Sequence, residues 1–162
     1  MIHGTSKHQP IAEKLDLVNL STCDRLVTAT CIKALYQISP ATAAQPNNSL
    51  GIFQEGSYYS QIDLNLFFQK FFPDIPPGTH PLEAFIDGAE APVPVGQAGI
   101  ESALDLEVAY SIVYPQNITL YQTNDFNYAT HPTGGFLNSF LDAIDGVCES
   151  NFSCLLLSLI CL

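Results

Sequence analysis

The sequence predicts an α/β fold, a parallel sheet flanked by helices. Three observations carry that expectation. Short apolar runs alternate with longer segments of helical period across residues 49–145, Gly or Pro bounds the runs, and the distance between runs suits a helical crossover rather than a tight hairpin. Strand, helix, strand, helix, strand in this order is what right-handed crossovers assemble into a parallel sheet.

The elements follow in chain order. Leu26, Val27, Cys31, Leu35 and Ile38 form a helical stripe within residues 23–38, and the "PATAAQPNN" that comes after it reads as a linker. Residues 49–53 are a short apolar run before Gly56, suited to a buried parallel strand. "SQIDLNLFFQKFF", residues 60–72, predicts a helix with Ser60 as N-cap, Asp63 completing a capping-box-like start and Pro73 stopping it. Residues 82–86, between Pro81 and Gly88, predict the second strand. Residues 88–99 are rich in Ala, Pro and Gly and lead into a helix that begins "GIESALDLEVAY" at Gly99. "ITLY", residues 118–121, predicts the third strand and residues 137–145 a further helix. Ligands of such sheets usually sit beyond the carboxyl ends of the strands, where Gly56 and Asp87–Gly88 fall.

With 162 residues, the chain has room for one domain with a real core. At 47% hydrophobic and 13% charged residues it reads as globular rather than disordered. Five Lys and Arg stand against sixteen Asp and Glu, a net charge of -11. Such a surface repels phosphate backbones and anionic lipid, which argues against nucleic acid as a partner, and it is compatible with an acidic environment.

Sequons at Asn19, Asn47, Asn117 and Asn151 lean toward a secretory route. Cys23 and Cys31 are close enough to bridge, or are two buried thiols, while Cys148, Cys154 and Cys161 crowd the C-terminus. No CxxC or HxxxH spacing points to zinc. "MIHGTSKHQP" has no apolar core of a signal peptide, so either the sequons are accidents of a cytosolic chain or Met1 is not the natural start. The closing "FSCLLLSLICL" is about half the roughly 20 residues a bilayer span needs and lacks the polar spacer of a lipid anchor. It resembles read-through into untranslated sequence more than a designed terminus. The expected division is an irregular extension over 1–22, a domain over 23–146 and an atypical apolar tail over 147–162.

The chemistry concentrates in Glu101 and Asp105. Four residues apart, they lie about 6 Å apart along one helical face. Exposed, the pair is a solvated helix start favoured by the macrodipole. Buried, two such carboxyls do not ionise independently and hold a shared proton, which suits a general base working in acid. Apolar Leu104, Leu106, Val108 and Ala109 around Asp105 favour the buried reading.

Here the chain resembles the sedolisins, acid-acting serine-carboxyl peptidases, and among them the fungal tripeptidyl-peptidase-like members. "ESALDLEVAY" followed by "YPQNITLYQTND", together with "LGIFQEGSYYSQIDLNLFF", "CDRLVTATCIKALYQI" and "FLDAIDG", carries the likeness from about Cys23 to Gly146. The resemblance implies a subtilisin-like sheet, N-terminal portion only, so that residues 23–146 would be a partial peptidase domain. It implies Glu101 as the general base and Asp105 as the acid that orients it, in place of the His and Asp of other serine peptidases. It also implies a peptide or protein substrate, and a paired Cys23 and Cys31. The family's nucleophilic serine, its oxyanion-binding aspartate and its calcium site would lie downstream of this chain, so no cofactor is expected within it. The "GTS" at Gly4–Ser6 has no strand-to-helix context, and Ser6 is a decoy. Where relatives often carry a glutamate extending the acid network, this chain offers Gln54, with Glu55 beside it.

Two other classes compete. A non-catalytic binding or regulatory protein could keep the peptidase shape. A glycosidase using Glu101 and Asp105 is opposed by geometry, since adjacent turns of one helix cannot flank a sugar from opposite sides. His3, His8, His80 and His131 are scattered loop residues. The aromatics of residues 53–72 read as core, with Tyr58 and Tyr59, beyond a strand end, the two that could face a substrate.

Overall fold

The structure, a computed structural model, describes residues 20–124 and 135–150, the last five as backbone. The described residues fall into two compact units divided between Ser39 and Pro40.

In the first unit a 3-10 turn, Leu20–Thr22, precedes helix α1, Ala29–Leu35. The stripe over 23–38 predicts a longer helix. It starts late because Thr28 is extended and its hydroxyl accepts the N–H of Cys31 at 3.3 Å, an N-cap that fixes the boundary. Cys23 and Cys31 form a disulfide, with Cα atoms 5.9 Å apart, which folds the preceding turn back onto the first turn of α1. Leu26 and Val27 therefore sit outside the helix, 64% and 69% exposed, and the stripe is not a packed face.

The second unit contains β1 (Ser49–Glu55), α2 (Gln61–Phe71), β2 (Leu82–Ile86), α3 (Ile100–Val113), β3 (Asn117–Thr123) and α4 (Phe136–Ser150). The strands form a parallel sheet in the order β1-β3-β2, confirming the α/β class and the expected elements. Ile118 and Leu120 of the central strand are fully buried against Leu64 and Phe68 of α2 and Leu106 and Tyr110 of α3. The Phe68 and Tyr110 rings meet edge to face at 5.5 Å. On the other face the Phe140 ring of α4 lies 4.8 Å from Phe53 and 5.4 Å from Tyr121. Covering both faces is what a parallel sheet requires, and it explains why β3 is apolar or uncharged throughout.

The crossovers depart from expectation. The chain steps from β1 past the position of β3 to reach β2, then steps back to insert β3 between them. Both connecting helices, α2 and α3, lie on the Ile118 and Leu120 face. Opposite steps over one face have opposite hands, so one crossover is left-handed. The right-handed rule depends on a twisted strand feeding a helix that packs straight back. Here residues 72–81 and 87–99 separate helix from strand and loosen that coupling.

The boundaries follow local chemistry. Gly56, with φ +64°, and Gly88, with φ +74°, take the left-handed conformation that turns the chain off the ends of β1 and β2. α2 begins after Ser60, but Ser60 is buried and makes no side-chain cap bond, so the capping-box expectation fails. α2 ends at Phe71, two residues before Pro73. α4 runs through Gly146 to Ser150, past the predicted end at residue 145. Residues 151–162 of the apolar tail, Ser6, His3, His8, His131 and the sequon residue Asn19 lie outside the described residues.

Candidate active site

The carboxyl end of β1 and the first half of α3 build the site. Alternation along β1 turns Leu50, Ile52 and Gln54 toward α3 and Phe53 toward α4. Gln54 is 3% exposed, and its Nε2 donates to Asp105 Oδ2 at 2.5 Å. That bond places Gln54 beside Asp105. An amide donor fixes the oxygen it touches as an acceptor, whereas a carboxylic acid in its place could also pass a proton. Beneath it, Nε2 of the fully buried Gln122 donates to the Gln54 carbonyl at 3.3 Å.

Asp105 is half-buried, and Glu101, one turn earlier, is exposed in the first turn of α3. Asp105 lines a groove of about 400 Å³ with Leu50, Ile52, Leu104, Val108 and Ala109. The apolar flanks that favour a buried pair act differently from expectation. Leu106 is fully buried, but Leu104 is 56% exposed, because successive helical residues point in different directions. Strand β1 meets Asp105 through Gln54, and Glu101 is exposed.

A second acidic contact lies on the other side of α3. Burial, and then the Asp63 carboxylate of α2, push the Glu107 carboxyl above its ordinary range. Sequence reading misses it because the two residues meet only once α2 and α3 pack together. Tyr59 is core: its hydroxyl donates to Glu83 Oε1 at 3.2 Å, and burial followed by Glu83 raises its phenol. It is therefore not a substrate platform. Burial likewise raises the Tyr110 phenol. His80 is exposed, its Nδ1 2.8 Å from the Gly78 carbonyl, as a loop residue should be.

Among the described residues no group of three or more His, Cys, Asp or Glu side chains is placed to hold a metal ion. No described helix is long and apolar enough to cross a membrane.

Comparison with known proteins gives three relatives. Aorsin of Aspergillus oryzae is 65% identical over 130 residues, which cover 80% of this chain and 20% of aorsin. Tripeptidyl-peptidase sed1 of Aspergillus fumigatus is 50% identical over 145 residues, 85% of this chain and 22% of that protein. Tripeptidyl-peptidase SED1 of Arthroderma otae is 37% identical, over 88% of this chain and 20% of its own length. The chain thus spans about a fifth of the length of the relatives it matches. No family model matches, and no solved structure matches. With most of its residues aligned to these fungal peptidases, the chain belongs to the sedolisin family as a partial sedolisin-like domain.

Proposed function

We propose that this chain contributes the acid half of a serine-type peptidase site of the tripeptidyl-peptidase kind, with Glu101 as general base and Asp105 as the group that orients it. The observation that carries the reading is the Gln54 to Asp105 hydrogen bond. It holds Asp105 at the carboxyl end of β1 and leaves Glu101 open one turn away.

In this reading the nucleophilic serine comes from polypeptide beyond this segment. Glu101 takes the serine hydroxyl proton as the oxygen attacks the peptide carbonyl. The same proton passes to the leaving amine, and water then releases the acyl group from the serine. A carboxylate base remains available in acid, where an imidazole would already carry a proton. By itself the chain then hydrolyses no peptide. The Cys23–Cys31 disulfide and the exposed sequon residues Asn47 and Asn117 support an extracellular setting.

Identity with aorsin makes a direct test possible. Replacing the aligned segment of aorsin with this chain is expected to retain peptidase activity at acid pH. Glu101→Gln in that chimaera should lower kcat by roughly 10²–10⁴-fold. An active chimaera indifferent to Glu101→Gln would overturn the assignment. Peptide hydrolysis by the isolated chain would overturn the external origin of the serine.

A further inference from the structure

Helix α3 begins with an irregularity. Its N-cap is Gly99, which has no side chain to satisfy the first amides. The missing acceptor arrives from another element: Ser57 Oγ, in the loop after β1, accepts the backbone N–H of Ser102 at 3.1 Å. The fit is close. A Cβ on Gly99 would lie 2.1 Å from Ser57 Oγ, so any larger residue here would push the Ser57 hydroxyl from its place. The Gly99 N–H donates to the Tyr58 carbonyl at 2.8 Å, a second tie to the same loop.

Ser57 is itself held in place. Gln122, 0% exposed on the central strand, donates from Nε2 to the Ser57 carbonyl at 3.0 Å and to the Gln54 carbonyl at 3.3 Å. One buried amide therefore braces both points at which the β1 segment grips α3, the Ser57 cap at Ser102 and the Gln54 side chain at Asp105. The two grips are three residues apart, and Glu101 immediately precedes the first. Two attachments almost one turn apart fix both the axial position of the helix and its rotation.

We propose that Ser57 and Gln122 are positioning residues for the Glu101 and Asp105 pair, acting through the N-terminal turn of α3. This rests on the role proposed for the pair, but its test does not depend on activity. Displacement of a general base by an ångström can remove most of its rate advantage, so holding both acids on one braced turn is what such a site needs.

The readout is the Gln54 side-chain amide of the isotopically labelled chain, whose proton resonance reports its bond to Asp105. Ser57→Ala is expected to move that resonance toward the position of an unbonded amide. It should also speed hydrogen exchange at Ser102 about fivefold to tenfold, the effect of losing one helix cap. Ser57→Thr, which keeps the hydroxyl, should restore both. Ser49→Ala removes the distant Ser49–Thr119 hydroxyl pair and should leave the Gln54 signal in place. An unchanged Gln54 resonance in Ser57→Ala would overturn the proposal, as would an equal shift in Ser49→Ala. Should Ser57→Ala fail to fold, the unmodified chain decides: a Ser102 amide as protected as that of Leu106 supports the clamp, and exchange as fast as at Ile100 sinks it.

Discussion

Helix α3 carries acids on two sides, and the two sides behave differently. On one, Glu101 is open and Asp105 is tied to an uncharged amide from the sheet. On the other, Glu107 is half-buried and faces a second carboxylate, Asp63, with burial and repulsion both favouring its protonated form. A like charge beside a partly buried carboxyl opposes its ionisation. The difference shows that acids one or two turns apart on a helix need not form a single cluster. What each faces across the packing interface differs, an amide for Asp105 and a carboxylate for Glu107.

The sharpest way to break this comparison is to remove what separates the two sides. Leu106 is fully buried against the sheet. Leu106→Ala should cost about 2–5 kcal/mol in denaturant unfolding, and a loss below about 1 kcal/mol would mean that the seam is not packed. Next comes the sheet side. Gln54→Leu keeps volume but leaves Asp105 without its donor, and should lower stability by about 1–3 kcal/mol at neutral pH, measured by urea titration.

On the α2 side the effect depends on pH. Because the Glu107 carboxyl is raised in the folded state, the fold pays least below the unfolded-state value and loses stability as pH rises through the folded one. Glu107→Gln should therefore stabilise at neutral pH, by no more than about 0.5 kcal/mol for a group that solvent still reaches, and the gain should vanish in acid. A Tm difference independent of pH would show that the Glu107 carboxyl is not raised in the fold. Smallest of all, Glu101→Gln should change the stability of the chain by less than about 0.5 kcal/mol, since Glu101 is exposed. If it destabilised as much as Gln54→Leu, Glu101 would belong to the structural network and the two sides would no longer differ.

Much of the sheet was legible in the sequence because its punctuation is covalent. Gly56, Gly88, Pro73 and Pro81 stop elements wherever the fold places them, and the strand over Leu82–Ile86 appears where they predict it. Features that depend on a distant partner were not legible. Ser60 looks like a cap but its side chain is buried without capping, whereas Ser57, in no recognisable capping position, caps a helix that starts far along the chain. The acid pair was visible as a spacing and as a family resemblance. Its environment was not, because Leu104 and Leu106 flank Asp105 equally in sequence and only Leu106 is buried. The place of Gln54 beside Asp105 depended on which face of β1 packs on α3, a relation between elements that neighbouring residues do not encode.

The strand order has a consequence for how such a chain is made. Among the described strands β3 is last in sequence and middle in space, so β1 and β2 share no ladder and meet only through it. During synthesis the two outer strands of these three emerge first and cannot be joined to each other until residues 117–123 follow. Their union is therefore a late, long-range event that waits for β3.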